Sequence, residues 1–599
     1  MDTRAIGTLP ASSSQRRRTH GGTANRNGAP DISSFYRESL HFNEGVMAAL
    51  DPFGVSAPIA RAQLAWVLHP QELAERMAAL SADLVQLQWH TVRRALGLDS
   101  QDPIQPHADD PRFADPVWTE AATWDVLKEW YLAFTHHMQD MLYETPGLSA
   151  TERRRAAFWW RKWLNAVAPT NYLWLNPVAQ RKLVESGGAS MWKGMENMLG
   201  DLEAGKVRMT REDDFEVGKD LATTPGAVVF RNRLLEVIHY APSQREVHAE
   251  PVVIITPWIN KFYILDLNHK KSMVRYLVDQ GLDVFITSWK NPDASMSEVR
   301  FDDYLVDGVG AAVNFARDFT GADKVHAVGY CIGGTALAMY MAWANRQYAE
   351  DEVPVADWTL FTTLVDFREP GDIEVFIDEH SVNHLCAQMA QKGFLDGAEM
   401  ASAFRLLRSN SLIWQYVVQG WLYGETPAPF DVLFWNMDTT RMPYAMHSWY
   451  LRALYLNNQL IEPDSLTVAG QPLDLGCIRQ PLYAVAAEDD HIAPWKQVFR
   501  SAHHVGGETR FVLSSSGHIL GIVNPPVKPP KRRFWAAEVA PRDTAAEWRM
   551  QTESQPGSWW EDWMAWLKPR CGKLLAARPA ATEQHPMLAA APGTYVLEK

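Results

Sequence analysis

The sequence predicts an α/β fold in which a mostly parallel, doubly covered sheet follows an α-helical domain. After Asp213, β-branched and continuous apolar runs alternate with helix-length segments, a pattern typical of parallel strands that are buried on both faces. Between residues 31 and 210 the apolar residues recur at the spacing of a helix face, and no strand-like alternation competes with them. We therefore expect the change from the helical domain to the α/β domain near residue 211.

Composition restricts the class of protein. The chain has 599 residues, more than one core usually organises, and its 47% hydrophobic and 21% charged residues are typical of a globular protein. The net charge of -14 at pH 7 argues against a nucleic-acid partner. No apolar run is long enough for a transmembrane helix, and Arg16–Arg18 is not followed by the apolar core of a signal peptide. The four cysteines form no C-x-x-C pair, so we expect a cytoplasmic protein.

The sequence of residues 1–210 predicts structure but indicates no catalytic or binding residues. Residues 1–30 are rich in Ser, Gly, Arg and Asn and are expected to be a disordered tail. The α-helical domain is predicted over residues 31–210, where Ser149 and Glu152 form a capping-box pattern before the helix Ala156–Leu164. The basic run Arg153–Arg155 could bind a ligand, but it fits a solvated helix face better. One helix face of this domain is marked by Leu73, Met77, Leu80, Leu84 and Leu87.

The α/β domain is predicted over residues 211–575. Between about 367 and 471 the strand–helix rhythm stops and the sequence becomes helical and aromatic, which we interpret as a lid or cap insertion, with passive packing as the alternative. Trp559–Trp566 is predicted to be the last amphipathic helix, and residues 576–599 are expected to be a loose tail. The predicted strands are Val252–Thr256, Asp283–Ser288, Val325–Tyr330, Trp358–Val365, Leu482–Ala486 and Thr509–Leu513.

The stretch Lys324–Tyr340 has the strand–turn–helix pattern of a nucleophile elbow, with Cys331 at the apex of the turn. Gly329 and Gly333 stand two positions on either side of it, where a Cβ would clash as the strand and helix backbones approach each other. A helix N-terminus favours negative charge and hence the reactive thiolate. A buried structural cysteine in a glycine-rich turn is the alternative, because short glycine patterns are common by chance.

The order of the acid and the histidine favours catalysis. In an α/β-hydrolase both follow the nucleophile, on loops after late strands. Here the cluster 488–491, Glu-Asp-Asp-His, ends one predicted strand and Gly517-His518 follows the next. Spacing alone does not distinguish among Glu488, Asp489 and Asp490 as the acid, and it does not exclude His491.

The predicted chemistry is acyl transfer. A thiolate would act as nucleophile, His518 as general base, and a carboxylate would orient the histidine and stabilise its imidazolium. The oxyanion formed on a carbonyl would accept the backbone N–H of Ile332 and a second N–H from the loop after the Val252 strand, where Trp258 and Ile259 lie.

Motifs distributed over roughly residues 35–570 resemble the polyhydroxyalkanoate synthases of class I, which are members of the α/β-hydrolase superfamily. The matching stretches include Asp110–Phe113, Asn176-Pro177, Phe215–Gly218, Thr223–Val228, Pro257–Leu267, Gly329–Gly334, Phe434–Asn436, Trp449–Arg452, Glu488–His491 before Pro494-Trp495, Gly517-His518, Asn524–Pro526 and Gly557–Trp560.

The resemblance implies that Cys331 is the nucleophile, Asp490 the acid and His518 the base. Tyr330 before the nucleophile is similar to class I, so the implied substrate is a short-chain (R)-3-hydroxyacyl-CoA such as 3-hydroxybutyryl-CoA. The implied reaction forms an acyl-cysteine, releases CoA and lengthens a polyester chain without a cofactor or metal. A homodimer at the surface of cytoplasmic polyester granules, with granule-coat proteins as further candidate partners, is also implied. Two alternatives are an intracellular polyhydroxyalkanoate depolymerase or thioesterase and a noncatalytic granule-associated protein.

Overall fold

The computed structural model describes residues 56–98, 104–107, 110–211 and 213–599, and the predicted disordered tail 1–30 lies outside them. From residue 56 onward the chain belongs to one compact unit. The capping box is present: Ser149 Oγ accepts the Glu152 N–H at 3.3 Å, and the Glu152 carboxylate accepts the Ser149 N–H at 3.0 Å. The described residues before 212 are called the first part of the chain, and the residues after 212 are called the second part. The longer helices of the first part are α1 Ser56–Leu68, α2 Pro70–Ala95, α3 Ala122–Tyr143, α4 Ala150–Ala166, α5 Pro177–Glu185 and α6 Ala189–Glu203.

The second part is built on an eleven-stranded sheet with the order β15-β14-β13-β12-β7-β6-β4-β5-β2-β1-β17. The six central strands, from β13 to β5, are parallel to one another, whereas the pairs toward both edges are antiparallel. This confirms the mostly parallel sheet. The strands are β1 Gly226–Arg231, β2 Leu235–Tyr240, β3 Glu246–His248, β4 Val252–Ile255, β5 Val284–Trp289, β6 Val325–Tyr330, β7 Val355–Phe361, β8 Phe394–Leu395, β9 Met442–Pro443, β10 Thr467–Val468, β11 Gln471–Pro472, β12 Leu482–Ala487, β13 Thr509–Ser514, β14 Arg533–Glu538, β15 Gln555–Pro556, β16 Leu574–Ala576 and β17 Ala589–Ala590.

Helices cover both faces of this sheet and bury one apolar cluster on each. The predicted last helix is present, and its Trp559, Trp560 and Trp563 are fully buried in the second cluster. Among the described residues no helix is both long and apolar enough to cross a bilayer. The longer helices around the sheet are α7 Met273–Asp279, α8 Ala311–Thr320, α9 Ile332–Gln347, α14 Trp495–His504, α15 Ala545–Gln551 and α16 Trp559–Leu567.

One predicted strand boundary was wrong. The strand expected over Trp358–Val365 is β7 and ends at Phe361, because Thr362 has a φ of 40° that turns the chain away from the strand direction.

The segment between β7 and β12 is largely helical and contacts the first part of the chain. Its longer helices are α10 Glu379–Lys392, α11 Gly397–Leu407, α12 Asp431–Met437 and α13 Tyr444–Tyr450. The basic run is not simply a solvated face, since Arg154 pairs with Glu374 at 2.9 Å and Arg155 pairs with Asp378. Further along, Trp421 Nε1 donates to Asp201 on α6 at 2.9 Å. These partners lie about 220 positions away in sequence, so residue types alone do not reveal them.

The expected loose tail at 576–599 is a second correction, because this segment is packed against the sheet. Strand β16 pairs with β3, and β17 pairs with β1 at the sheet edge. Val596 is buried in the second apolar cluster, and the buried Glu236 carboxylate accepts the backbone N–H groups of Thr594 and Tyr595 at 3.0 and 3.1 Å. The Ala- and Pro-rich composition gave no sign of these long-range partners.

Candidate active site

Cys331 stands at the sharp turn between β6 and α9, with φ 52° and ψ -123°. Such a conformation is strained for a residue with a side chain and is typical of functional turns. The glycines on either side are required: a Cβ on Gly329 would lie 2.4 Å from the Gly334 Cα, and one on Gly333 would lie 2.6 Å from the carbonyl oxygens of Ile255 and Thr256. The turn is therefore pressed against the end of β4, and the Cys331 side chain is partly exposed at the head of a helix.

Asp490 and His518 meet because they follow neighbouring parallel strands, β12 and β13. The His518 Nδ1 lies 2.7 Å from Asp490 Oδ2, and both residues are buried. The other carboxylate oxygen accepts the backbone N–H groups of Ile492 and Ala493 at 2.8 and 2.9 Å, which fixes its orientation. Cys331 lies close enough to His518 for its charge to act on the imidazole ring.

The remaining residues of the acidic cluster point elsewhere. Glu488 pairs with Arg549 at 3.1 Å, and Asp489 is exposed. Burial, together with the positive charge of Arg408, lowers the pKa of His491 to about 4, so this histidine is neutral at pH 7. Of the alternatives that spacing left open, only Asp490 contacts His518 among the described residues.

Electrostatics favour the imidazolium form of His518. Burial alone would lower the pKa of its ring, but the Asp490 carboxylate and the charge at Cys331 outweigh burial and raise that pKa to about 10. Tyr330, which is fully buried, stacks on the ring with a centroid distance of 5.9 Å and an interplanar angle of 25°. The imidazole is therefore held by a carboxylate at its edge and by an aromatic ring on its face.

The two residues predicted to form an oxyanion hole lie on segments that touch. Ile332 is the first residue of α9, so its backbone N–H has no acceptor within the helix. Ile259 is partly buried in the loop after β4, and the beginning of that loop contacts Gly333 of the same helix. Backbone donors on both sides of the elbow are therefore compatible with stabilising a negative oxygen above Cys331.

Comparisons with known proteins identify the family. Residues 109–277 match the family model described as poly-beta-hydroxybutyrate polymerase (PhaC) N-terminus, and residues 250–525 match the model of the alpha/beta hydrolase fold. The chain is 38% identical over 600 residues to a poly(3-hydroxyalkanoate) polymerase of Methylorubrum extorquens, with 95% of this chain and 98% of that protein covered. It is 41% identical over 497 residues to the poly(3-hydroxyalkanoate) polymerase subunit PhaC of Cupriavidus necator, with 82% and 83% covered.

The chain belongs to the poly(3-hydroxyalkanoate) polymerase family. Its second part has the α/β-hydrolase fold. Among solved structures, a putative hydrolase from Agrobacterium vitis S4 covers 50% of this chain and 92% of its own, with a TM-score of 0.30 and 14% identity. That likeness is too weak to support any argument about the site.

In this member of the polymerase family, the segment between β7 and β12 contributes two buried tyrosines that lie close enough to Cys331 for its charge to act on them. The rings of Tyr450 and Tyr455 pack edge to face with centroids 5.4 Å apart. Burial raises the pKa of both hydroxyl groups, and the charge at Cys331 raises it further, so both remain protonated donors. Residue types did not single out either tyrosine, although Tyr450 stands in the motif Trp449–Arg452 that carried the resemblance.

A cationic cavity of about 510 Å³ separates the first part of this polymerase-family chain from the β7–β12 segment. It is lined by Arg161 and Lys162 of α4 and by Asp372 and Arg408 of the segment. Burial, with the neighbouring charges of Arg161 and Arg408, lowers the pKa of Lys162 to about 7. The Asp372 N–H donates to the carbonyl of His491 at 2.9 Å, so the cavity borders the loop that carries Asp490.

No metal site is evident in the described part of this polymerase-family chain, where no group of three or more His, Cys, Asp or Glu side chains is arranged to hold an ion. Cys386 and Cys571 are free and buried, and Cys477 is free and partly exposed.

Proposed function

We propose that the chain polymerises short-chain (R)-3-hydroxyacyl-CoA, such as 3-hydroxybutyryl-CoA, into a polyester and releases CoA. The observation that carries the proposal is the contact of Cys331, His518 and Asp490 in a chain whose relatives are named poly(3-hydroxyalkanoate) polymerases. In this proposal Cys331 is the nucleophile, His518 the proton carrier, and Asp490 the group that orients and stabilises the imidazolium.

The first step is acylation of Cys331. The thiolate attacks the thioester carbonyl, a bond forms between Sγ and the acyl carbon, and the bond from that carbon to the CoA sulfur breaks. The departing CoA sulfur takes the proton that His518 carries, which is consistent with the raised pKa of that ring. The oxyanion of the intermediate accepts the backbone N–H groups of Ile332 and Ile259.

The second step is transfer to a hydroxyl group. The 3-hydroxyl of another acyl unit gives its proton to His518, which is now neutral, and its oxygen attacks the acyl-cysteine carbonyl. An ester bond forms, the bond from the carbonyl carbon to Sγ breaks, and the thiolate–imidazolium pair returns. Water would compete with this hydroxyl group, so an active site sheltered by the apolar β7–β12 segment favours chain growth over hydrolysis.

The cationic cavity is the proposed site for the phosphates of CoA. Arg161, Lys162 and Arg408 bring positive charges to a space that borders the Asp490 loop. Asp372 offsets part of that charge, and the Asp110 carboxylate in the same lining is paired with Arg112. Cations that line one cavity favour an anionic ligand that supplies the missing negative charge. The reaction needs no cofactor, because the thioester supplies both the acyl group and the leaving group.

We further propose that the chain works as a cytoplasmic homodimer at the surface of polyester granules, where granule-coat proteins could also bind. Support comes from large apolar side chains that the first part of the chain exposes. Trp89, Trp174 and Trp192 are 65%, 75% and 67% exposed, and exposed aromatic surface favours an apolar partner.

Incubation with 3-hydroxybutyryl-CoA tests the proposed function. We expect CoA release with insoluble polyester, and we expect Cys331→Ala to abolish both while Cys386→Ala retains them. If the only product is soluble monomer acid, the depolymerase or thioesterase alternative is correct. If the wild-type chain releases no CoA and Cys331 never becomes acylated, the noncatalytic alternative is correct.

A further inference from the structure

We propose that Lys261 is a positioning residue for acyl transfer, and that it acts by tying the segment 594–598 to the loop after β4. The inference rests on the proposed function in one respect, namely that this loop supplies the second oxyanion donor at Ile259. It also assigns a role to a segment whose sequence predicted a loose tail.

The Lys261 ammonium group is buried, with only 5% of the residue exposed, and it is fully engaged. Its Nζ donates to the backbone carbonyl oxygens of Val596 at 2.6 Å and Glu598 at 2.7 Å, and it lies 3.2 Å from Asp438 Oδ1. A buried ammonium group is stable only when its hydrogen-bonding capacity is satisfied. Two of the three contacts join Lys261 to the segment 594–598, and the third joins it to Asp438 of the β7–β12 segment.

The segment 594–598, whose carbonyl groups accept from Lys261, is itself fixed. Glu236 caps the backbone at Thr594 and Tyr595, and the Tyr595 hydroxyl donates to the Asn232 carbonyl at 2.8 Å. At the end of the segment, the Glu598 carboxylate accepts the backbone N–H of Asn291, just after β5, at 3.1 Å. The segment is thus attached to the sheet on both sides of the Lys261 contacts and offers a rigid anchor.

The loop that Lys261 belongs to is the one that borders the nucleophile. Its start presses on α9 next to Cys331, where the carbonyl oxygens of residues 255 and 256 leave no room for a Cβ on Gly333. Its end is clamped by the β7–β12 segment, since Trp435 Nε1 donates to the Lys261 carbonyl at 2.6 Å and Thr440 Oγ1 donates to the Trp258 carbonyl. Ile259 lies between these two clamped carbonyls, so the direction of its N–H depends on both.

Removing the ammonium group would leave the carbonyls of Val596 and Glu598 without this donor and would remove the buried positive charge beside Asp438, which keeps the Tyr263 hydroxyl as a donor at 2.9 Å. The loop would relax toward a position that satisfies them in another way, and Ile259 would move with it. A displacement of about 1 Å at a catalytic group can reduce a rate about a hundredfold, and removing one oxyanion donor costs a similar factor or more. Formation of the thiolate should not change, because His518 and Asp490 do not contact this loop through any described hydrogen bond.

The test compares two reactions of Cys331 in the full-length Lys261→Met variant. Single-turnover CoA release from 3-hydroxybutyryl-CoA requires an oxyanion hole, whereas alkylation by iodoacetamide requires only the thiolate. We expect CoA release to slow by about 10- to 100-fold, with the substrate KM within about threefold and the alkylation rate within about twofold of wild type. Lys290→Met is the matched control: this lysine lies over the Tyr595 ring at 5.8 Å, does not contact the loop, and should leave both rates within about twofold.

A wild-type rate of CoA release in Lys261→Met, or a parallel loss of alkylation, overturns the proposal. Should this variant not fold, deletion of residues 594–599 provides the second test, with the same expected separation of the two rates and the same contrary outcomes. CoA release is common to polymer synthesis and thioester hydrolysis. A wild-type chain that released CoA without making polymer would therefore refute the proposed function and leave the test of Lys261 intact.

Discussion

Replacing Asp490 by asparagine tests whether its carboxylate sustains the reactive form of Cys331. The substitution preserves size and removes one buried negative charge that lies 2.7 Å from the His518 ring. The amide oxygen can still accept the backbone N–H groups of Ile492 and Ala493, so the loop should keep its shape. The expected loss is therefore electrostatic rather than structural.

The size of the effect follows from the contact. Two unit charges about 4 Å apart interact by about 4 kcal/mol at an effective dielectric constant of about 20, which corresponds to about 3 pKa units. The pKa of His518, now raised to about 10, should fall to about 7 without the carboxylate. A free thiol is only about 3% thiolate at pH 7, and without the imidazolium charge the Cys331 sulfur loses what would stabilise its thiolate. Alkylation should then be about thirtyfold slower at that pH.

The assay is the rate of Cys331 alkylation by iodoacetamide between pH 6 and pH 9. We expect the wild type to react faster than Asp490→Asn at pH 7, because the pKa of His518 lies above this range and its imidazolium persists, and we expect the difference to shrink as the pH rises. Asp489→Asn is the matched control, since the same change one position away affects an exposed side chain. An Asp490→Asn rate within about threefold of wild type at pH 7 would refute the electrostatic role assigned to Asp490.

Three further predictions follow from the cavity, the β7–β12 segment and the elbow. Lys162→Gln should raise the KM for 3-hydroxybutyryl-CoA about tenfold, and the wild-type KM should rise above pH 7, where Lys162 loses its proton; an unchanged KM would contradict the phosphate site. Burial lowers the pKa of His447 to about 4 from an ordinary value of about 6.5, so the unfolded chain takes up the proton first and the folded state loses stability as the pH falls from about 6.5 to 4. At pH 4, His447→Phe should retain about 3 kcal/mol of unfolding free energy that the wild type loses, whereas a change at the exposed His136, His136→Phe, should not. Gly333→Ala should abolish CoA release, because its Cβ would meet two carbonyl oxygens at 2.6 Å, and a fully active variant would show that the elbow tolerates a side chain.

The central sheet was predictable because its strands are buried on both faces, which leaves a continuous apolar run in the sequence. The antiparallel strands β1, β2 and β14 toward the sheet edges were not predicted, and in β2 the polar residues Glu236 and His239 interrupt the apolar run. The packing of residues 576–599 was equally hidden, since it depends on Glu236 and Lys261, which are more than three hundred positions away. Composition indicates how the segment would behave in isolation, whereas its packing in the folded chain is determined by residues that are distant in sequence.

The residues of the candidate site also differ in how far the sequence could predict them. A local pattern identified Cys331, because a strained turn requires glycines at fixed offsets. Chain order predicted the region of the acid, but only the resemblance to a family chose Asp490, and the structure brings that residue to His518. The stacking of Tyr330 on His518 and the approach of Tyr450 to Cys331 follow from tertiary packing and leave no periodic signal in the sequence.

The β7–β12 segment contacts several parts of the candidate site. It provides Tyr450 and Tyr455 near Cys331, Asp438 to the Lys261 ammonium, and Thr440 to the Trp258 carbonyl. A rigid-body displacement of the segment would break the Lys261–Asp438 pair and the clamp on the loop that carries Ile259 at the same time. In the proposed mechanism, shelter from water and alignment of the oxyanion donors therefore depend on the same contacts. With the segment in place, the proposed acyl-cysteine would meet the hydroxyl group of another acyl unit rather than water, and this condition favours polyester growth over hydrolysis of the thioester.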